Sequence, residues 1–351
     1  MTQPTNRPNR RTGRRPAIAL LTTCLIVAGC VSGSPPTSSA PEPSPAASLS
    51  ATSSTTAQPS PSPTLKLEGL LVFFRETTHG LQLFTMDANG GEPHQITEVE
   101  GDAVGAEWAP DGSRITFQVN ANDECSVAFV DPDGSNLTVL PHESGVCESQ
   151  PTFTPNGGRI VFQRVDPVTG NDGIWSMNPD GSDRVEIGVG FGLAVAPRVS
   201  PDGMSVSASG WNLKEGDEHR EGFFTMGIDG SNPRWVSPNW ANFPEHDWSP
   251  DGKWIVASDR LAHELTAANI ALLGADGSSV SEPTYLTAYK RDDQRALTPT
   301  FSPDGKWIIF RLRERDLFAL YLMRSDGSDP ERLTMPSAAA PLEIDWGPEP
   351  G

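Results

Sequence analysis

Two short turn motifs alternate along most of this chain, and their regular return is the strongest constraint on its fold. The first turn has a Pro-Asp-Gly or Pro-Asn-Gly core, and the second has an Asp-Gly or Asn-Gly core. First turns occupy residues 109–112, 154–157, 200–203, 249–252 and 302–305, and second turns occupy residues 87–90, 131–134, 178–181, 227–230, 274–277 and 325–327. A pair returns about every 45 to 53 residues, which is typical of a repeat architecture.

Each turn predicts a β-hairpin. Proline presets φ at the second turn position, Asp or Asn tolerates the next, and glycine takes the left-handed conformation that follows. Runs rich in β-branched and aromatic residues flank the turns, for example residues 115–117 and 254–256. A short third run follows each second turn, so each unit predicts four antiparallel strands, typical of propeller blades.

The two ends of the repeat predict how the propeller closes. A bulky residue recurs in the first strand of each unit: Trp108, Phe153, Val199, Trp248, Phe301 and Trp346. The unit that starts at residue 70 lacks this strand, whereas residues 342–346 offer it alone. We therefore predict an all-β, six-bladed β-propeller of four-stranded antiparallel blades. The C-terminal strand joins the N-terminal blade, which removes an exposed sheet edge.

The first 65 residues predict export and a lipid anchor. Five arginines precede a 13-residue, mostly apolar stretch, which is too short for a spanning helix and typical of a signal peptide over residues 1–29. Val27-Ala28-Gly29-Cys30 resembles the bacterial lipobox, so Cys30 is the predicted lipidation site; a plain secretory signal with an incidental cysteine is the alternative. Residues 30–65, rich in Ser, Pro, Thr and Ala, predict a disordered stalk before a propeller over residues 66–348.

The net charge limits which partners the protein can bind, and the cysteines indicate its cellular compartment. The formal net charge is −19, and loss of the five signal-peptide arginines leaves about −24, which excludes nucleic acid because phosphate contacts need a basic surface. We expect a monomer that meets the membrane only through the lipid on Cys30, facing the periplasm or the cell exterior. Cys125 and Cys147 fall at the same end of the second unit's sheet and predict a disulfide in an oxidising compartment.

The repeat geometry predicts which face carries function. The tight turns emerge on one face, whereas the connections of variable length emerge on the opposite face, and rigid scaffolds place binding residues on such loops. Solvated loops, with the aromatic residues packed under a blade, are the alternative. The predicted binding face comprises Trp211, His219, Trp240, Phe243, Glu245, His246, Asp247 and Arg198. The first two belong to a long, charged stretch from Trp211 to Gly222 that we interpret as a loop.

The residue just before each bulky first-strand residue is predicted to line the central channel. These six are Glu107, Thr152, Arg198, Asp247, Thr300 and Asp345. They allow two interpretations. Glu107, Asp247 and Asp345 are weak candidates for a divalent cation or a basic peptide end. Alternatively, the six form a structural ring in which Arg198 pairs with a carboxylate. Strand alternation places His246 on the other sheet face from Glu245 and Asp247.

Sequence signals for catalysis are missing. The chain contains no G-x-S-x-G nucleophile elbow, and none of its six histidines forms an H-x-H or H-E-x-x-H pair. We therefore predict no catalytic residue and no cofactor. The function predicted from the residues is a non-catalytic binding or scaffold module for an envelope protein or peptide, with a glycan as a possible ligand. The alternative is a metal-dependent carbohydrate-active or sugar-binding propeller acting at the channel mouth.

The repeat unit itself carries a family resemblance. Residues 248–255 and 301–308, each followed by an Asp-Gly-Ser turn, resemble the TolB-like β-propeller repeat, and the resemblance covers about residues 66–348. It implies a periplasmic platform that binds partner proteins, as TolB does within the Tol–Pal envelope system. The chain departs from TolB in having a predicted stalk where TolB carries an α/β domain, and in its predicted lipid anchor. Polysaccharide lyases that resemble this repeat use clustered histidines on a metal, and that cluster is missing here.

Overall fold

The computed structural model describes residues 66–349, except 123, 171, 189–192, 216–217, 240–244, 260–266, 279, 292–293, 336 and 338–340. All regular elements in these residues are β-strands, as predicted. No helix in this part of the chain is long and apolar enough to cross a membrane.

Twenty-four strands make up the described part of the chain. In chain order they are β1 Leu70–Thr77, β2 Gly80–Asp87, β3 His94–Gln95, β4 Asp102–Trp108, β5 Ile115–Ala121, β6 Glu124–Val130, β7 Thr138–Val139, β8 Cys147–Phe153, β9 Ile160–Val165, β10 Gly173–Met177, β11 Val185–Glu186, β12 Leu193–Val199, β13 Ser205–Glu215, β14 Glu218–Gly227, β15 Arg234–Trp235, β16 His246–Trp248, β17 Trp254–Ser258, β18 Ile270–Gly274, β19 Thr284–Tyr285, β20 Gln294–Phe301, β21 Trp307–Glu314, β22 Leu317–Arg324, β23 Glu331–Arg332 and β24 Leu342–Gly347.

These strands form four separate four-stranded sheets and one eight-stranded sheet. The four-stranded sheets have the orders β24-β1-β2-β3, β12-β13-β14-β15, β16-β17-β18-β19 and β20-β21-β22-β23. Strands β4 to β11 form the fifth sheet, because a single parallel pair at Cys125 and Cys147 joins β6 to β8. The structure thus delineates four separate blades among the described residues, where the sequence predicted six.

The predicted hairpin turns are confirmed. The amide N–H of Gly112 donates to the carbonyl oxygen of Ala109 at 2.9 Å, and the glycines of the other first turns repeat this bond. Gly112 has a φ of 70°, in the left-handed region that glycine adopts at no steric cost. These turns share one edge of the sheets, which we call the turn edge. The second-to-third-strand hairpins and the entrances to the first strands lie at the opposite edge, the loop edge.

The C-terminal strand joins the N-terminal sheet, as predicted. Strand β24 pairs antiparallel with β1, with Trp346 opposite Leu71. The Trp346 indole is buried against the first sheet and β21–β22, and its Nε1 donates to the carbonyl oxygen of Glu68 at 2.9 Å. The hydrophobic core is divided into clusters of this kind between neighbouring sheets. The first strands contact one another in the closed order β4, β8, β12, β16, β20, β24 and β4 again.

A β-bulge recurs in the first strands. The pairing register shifts two to three residues before the end of β4, β8, β12 and β20, and between Leu342 and Ile344 in β24. A residue with positive φ lies at each shift: Gly105, Gln150, Ala196, Thr298 and Glu343. Bulges re-aim side chains and are concentrated next to functional sites.

Residues 211–215 and 218–222 are extended and paired, which corrects the interpretation of this charged stretch as a loop. Strands β13 and β14 continue through it, with Leu213 opposite Arg220 and Lys214 opposite His219. The stretch is therefore a long hairpin at the loop edge. The sequence was interpreted as a loop because the stretch is densely charged, although Trp211-Asn212-Leu213-Lys214 alternates apolar and polar residues.

Candidate functional site

Six side chains from successive first strands form an axial ring: Glu107, Thr152, Arg198, Asp247, Thr300 and Asp345. Arg198 forms an ion pair with Glu107, and the Thr152 hydroxyl donates to Oε1 of Glu107 at 2.9 Å. Both charged side chains keep about a fifth of their surface accessible. Of the two interpretations of these residues, the pairing of Arg198 with a carboxylate is the one observed.

The remaining ring members bind the neighbouring first strand. Oδ2 of Asp247 accepts from the backbone N–H of Phe301 at 2.8 Å and from the Thr300 hydroxyl at 3.1 Å. Oδ2 of Asp345 accepts from the backbone N–H of Trp108 at 2.9 Å. The axial ring therefore links first strands that are far apart in the chain.

A second layer of side chains lies two residues earlier in the first strands, toward the loop edge. It contributes Glu245, Thr298 and Glu343 to a small, partly open cavity of about 20 Å³, which has room for a group the size of a water molecule. We call it the mouth cavity. Its lining residues are Ala106, Arg198, Glu245, His246, Asp247, Thr298, Pro299, Thr300, Glu343, Ile344 and Asp345.

The carboxyl groups around the mouth cavity are held toward the protonated form. Burial raises the pKa of Glu343 to about 8, and repulsion from Glu245, to which it is hydrogen-bonded, adds to the effect. Burial likewise raises the pKa of Glu245. Burial and the neighbouring Asp345 raise the pKa of Asp247 to about 6. Perturbed carboxyls in a cleft are typical of functional sites, although structural networks also produce them.

Burial and neighbouring charges also shift the pKa values of Glu107, Asp345 and Arg198 in the axial ring. Burial raises the pKa of Glu107 to about 8 against the opposing effect of Arg198, and burial also raises the pKa of Asp345. Burial alone would lower the pKa of the Arg198 guanidinium, but Glu107, Asp345 and Asp247 hold it above its ordinary value. The arrangement thus concentrates carboxyls around a single ring cation.

His246 lies between blades rather than on the axis alone. Its Nε2 is 2.7 Å from the Ser207 hydroxyl, and its ring packs 4.8 Å from that of Phe223. Both His246 and Ser207 are fully buried. His246 also lines the mouth cavity beside Glu245 and Asp247, although strand alternation predicts it on the other sheet face. A pair buried in this way packs two sheets together.

The structure brings together four of the predicted binding-face residues: Arg198, Glu245, His246 and Asp247 line the mouth cavity. Trp211 pairs with Leu193, and His219 pairs with Lys214 within the long hairpin. Trp240 and Phe243 lie outside the described residues, as does Cys30. Their part in binding stays a prediction.

Glu343 and Thr298 were missed by the sequence reasoning. A signal for them existed, since both lie exactly one strand period before ring positions that the repeat had identified. Alternation puts them on the same strand face as the ring residues, but the sequence does not show that these strands meet at one cavity.

The predicted disulfide is present, between Cys125 and Cys147 with 4.5 Å between their Cα atoms. It lies where β6 meets β8. Structural disulfides form in oxidising compartments, so this one supports export. As for the weak metal candidates, no group of three or more His, Cys, Asp or Glu side chains in the described part of the chain is arranged to hold a metal ion.

Comparisons with known proteins bear on the fold. No family model matches the chain. It superposes on the crystal structure of TolB from Acinetobacter baumannii with a TM-score of 0.66 and 19% identity, covering 81% of this chain and 68% of that one. The fold is a TolB-like β-propeller. A putative TolB from Agrobacterium tumefaciens gives a TM-score of 0.58 and 16% identity, covering 80% of this chain and 99% of that one.

The curated sequence relatives match only part of this chain. The uncharacterized peptidase YuxL of Bacillus subtilis is 25% identical over 198 residues, which cover 47% of this chain and 29% of that protein. The chain spans less than half the length of the curated relatives it matches.

Proposed function

We propose that this chain is a non-catalytic binding module, anchored outside the cytoplasm by a lipid on Cys30, that presents its loop edge to an envelope protein or peptide. The observation that carries the proposal is the contrast between the two edges. The turn edge repeats one tight hairpin, whereas the loop edge carries the long hairpin and the carboxyl-lined mouth cavity. A scaffold that holds a concave polar site on rigid strands suits binding.

The blade count of six is part of the same proposal. Strands β4 to β7 and β8 to β11 each repeat the four-stranded antiparallel order, and one parallel pair at the disulfide links them. The closed cycle of six first strands supports counting them as two blades. A crystal structure in which the two sets pair along more than the cystine would refute this count.

Capture from envelope extract tests the function. The full-length protein in detergent would serve as bait, beside a variant with Trp240→Ala, Phe243→Ala and the hairpin shortened after Gly210. A matched control replaces apolar side chains at the turn edge: Met204→Ala and Trp254→Ala, which are 68% and 39% exposed. We expect a specific protein that the loop-edge variant loses and the control retains. Equal capture by both variants would remove the loop edge as the binding face.

The lipid anchor has its own test. Cys30→Ser should move the protein from the membrane fraction to the soluble exported fraction, and mass spectrometry of the mature N-terminus should show an acylated Cys30 in the wild type. An unmodified N-terminus at another residue would contradict the anchor.

A further inference from the structure

The mouth cavity holds an excess of acidic groups over basic ones. Glu245, Asp247, Glu343 and Asp345 line it, with Arg198 as the guanidinium among the lining residues. Arg198 is already paired with Glu107 at the base of the cavity. The upper part, around Glu245 and Glu343, therefore lacks a cation of its own in the lining.

A second guanidinium, on Arg311, lies close enough to influence Glu245, but its position is fixed by another contact. Its guanidinium carbon stacks 3.5 Å from the ring centroid of Phe318. Arg311 is also buried. Arg311 lowers the pKa of Glu245 less than Arg198 does, and it is not one of the residues that line the cavity.

Glu245 and Glu343 instead satisfy each other. Their carboxyl groups are hydrogen-bonded, which requires a proton between them. Two carboxylates in contact keep such a proton because like charges at this separation cannot both ionise without a compensating cation. A bound cation would take the proton's place.

Thr298 gives an independent indication of a ligand. Its side chain lines the same cavity and is 7% exposed, yet its Oγ1 has no hydrogen-bond partner among the residues that the structure describes. Its φ of 49° is unusual for a β-branched residue. Buried polar atoms are normally hydrogen-bonded, and an orphaned one calls for an explanation. Oε2 of Glu245 is buried without a partner in the same part of the chain.

We propose that the mouth cavity binds a cationic nitrogen group of a partner peptide, namely a lysine ammonium, an arginine guanidinium or an amino terminus. Glu245 and Glu343 supply the charge, and the Thr298 hydroxyl accepts one of the N–H bonds. This inference rests on the proposed function, since it assigns the chemistry that the loop edge recognises. N–H donors suit the site because each satisfies an orphaned acceptor directly.

The replacement of the proton gives the proposal a distinctive signature. An ammonium that enters between Glu245 and Glu343 favours the ionised form of both, so binding releases a proton to solvent. Asp247, Asp345, Glu107 and the two guanidiniums stay in place and change their charge less, because their hydrogen bonds do not involve the ligand. Binding should therefore strengthen as the pH rises toward 8.

Titration calorimetry of the full-length protein with three blocked tripeptides tests this. The probes are acetyl-Gly-Lys-Gly-amide, acetyl-Gly-Arg-Gly-amide and the same lysine peptide acetylated on Nζ; unblocked Gly-Gly-Gly-amide reports an amino terminus. We expect at least one cationic probe to bind about tenfold or more tightly than the acetylated peptide. Its binding heat should also depend on the ionisation enthalpy of the buffer, which reports proton release.

Variants assign the site. Glu245→Gln and Glu343→Gln should each weaken the cationic probe about tenfold, and Glu343→Gln should abolish proton release. Thr298→Val should weaken binding severalfold while leaving the thermal midpoint unchanged or higher, because it removes an unpaired hydroxyl and keeps the side-chain shape. Glu282→Gln, an exposed site outside the cavity lining, is the matched control for charge and should change nothing.

Three outcomes would overturn the inference: equal binding of charged and acetylated peptides, binding unaffected by both glutamine variants, or displacement of the peptide by stoichiometric Ca²⁺ bound at the same residues. Its failure is separable from that of the proposed function. If the loop edge captures a protein but no cationic probe binds, the function stands and this inference falls. If the probes bind at Glu343 and no envelope protein is captured, the cation site stands alone.

Discussion

Replacing Glu343 by glutamine should stabilise the protein, and more so at higher pH. Glutamine keeps the size and hydrogen-bonding capacity of a protonated glutamate and removes the charge that burial disfavours. In the folded state the pKa of Glu343 is raised from 4.5 to about 8 by burial and by Glu245. Between those two values the folded protein holds a proton that the unfolded chain has lost. The free energy of unfolding of the wild type must therefore fall as the pH rises through this window.

The size of the effect follows from the shift. Each pKa unit corresponds to about 1.4 kcal/mol, so a shift from 4.5 to about 8 sets an upper bound of about 5 kcal/mol at pH 8. Glu343 is only half-buried by surface area, and it shares its proton with Glu245, so part of the penalty belongs to the pair. We therefore expect Glu343→Gln to be more stable than the wild type by about 2–3 kcal/mol at pH 8 and by almost nothing at pH 4.5.

Urea denaturation at half-unit steps from pH 4.5 to 8.5 measures this. The exposed Glu282→Gln variant controls for the loss of one surface charge. A double variant, Glu245→Gln with Glu343→Gln, should add little to the single one, because one proton is shared. A wild-type unfolding free energy that stays level across this range, or a Glu343→Gln variant less stable than the wild type at pH 8, would refute the buried, proton-sharing pair.

Other contacts predict losses of stability. Trp346→Ala should cost about 3–5 kcal/mol by urea denaturation, because it empties a buried contact in the strand that closes the propeller. Replacing Cys125 and Cys147 by alanine should cost about 3 kcal/mol and lower Tm, since the disulfide closes a loop with a sequence separation of 22; an unchanged Tm under reducing conditions would contradict this. Arg198→Met should cost about 2–4 kcal/mol, because Glu107 then lacks its cation. Adding Glu107→Gln to that variant should recover part of the loss, and a purely additive double variant would disprove the pairing.

Local chemistry explains why much of the scaffold was predictable. A Pro-Asp-Gly turn is determined by four consecutive residues, and the hydrogen bonds of Gly112 and the other first-turn glycines confirm the predicted turns. The single missing first strand at one terminus matched the single extra strand at the other, and β24 pairs with β1 accordingly. The disulfide also followed from strand counting, because Cys125 and Cys147 fall at the same end of neighbouring strands.

The long hairpin shows where local chemistry fails. Trp211 to Gly222 is densely charged, so its sequence was interpreted as a loop. The register of β13 with β14 nevertheless continues to Glu215 and Glu218. A two-stranded extension is stabilised by cross-strand pairs and backbone hydrogen bonds, which single-sequence propensity does not describe.

The sequence alone determined the repeat unit, the closure between the termini, the two edges of the propeller and the residues nearest its axis. Each of these depends on turns and on residue alternation over a few positions, and the same pattern recurs in every repeat, which makes the prediction stronger than any single copy would. Only the tertiary structure decided which side chains meet. Glu245 and Glu343 are about a hundred residues apart in the chain, and Arg198 reaches Glu107 across β8. Thr298 and Glu343, each at a β-bulge, line one cavity because strands distant in the chain pack around an axis, and no local rule encodes that arrangement.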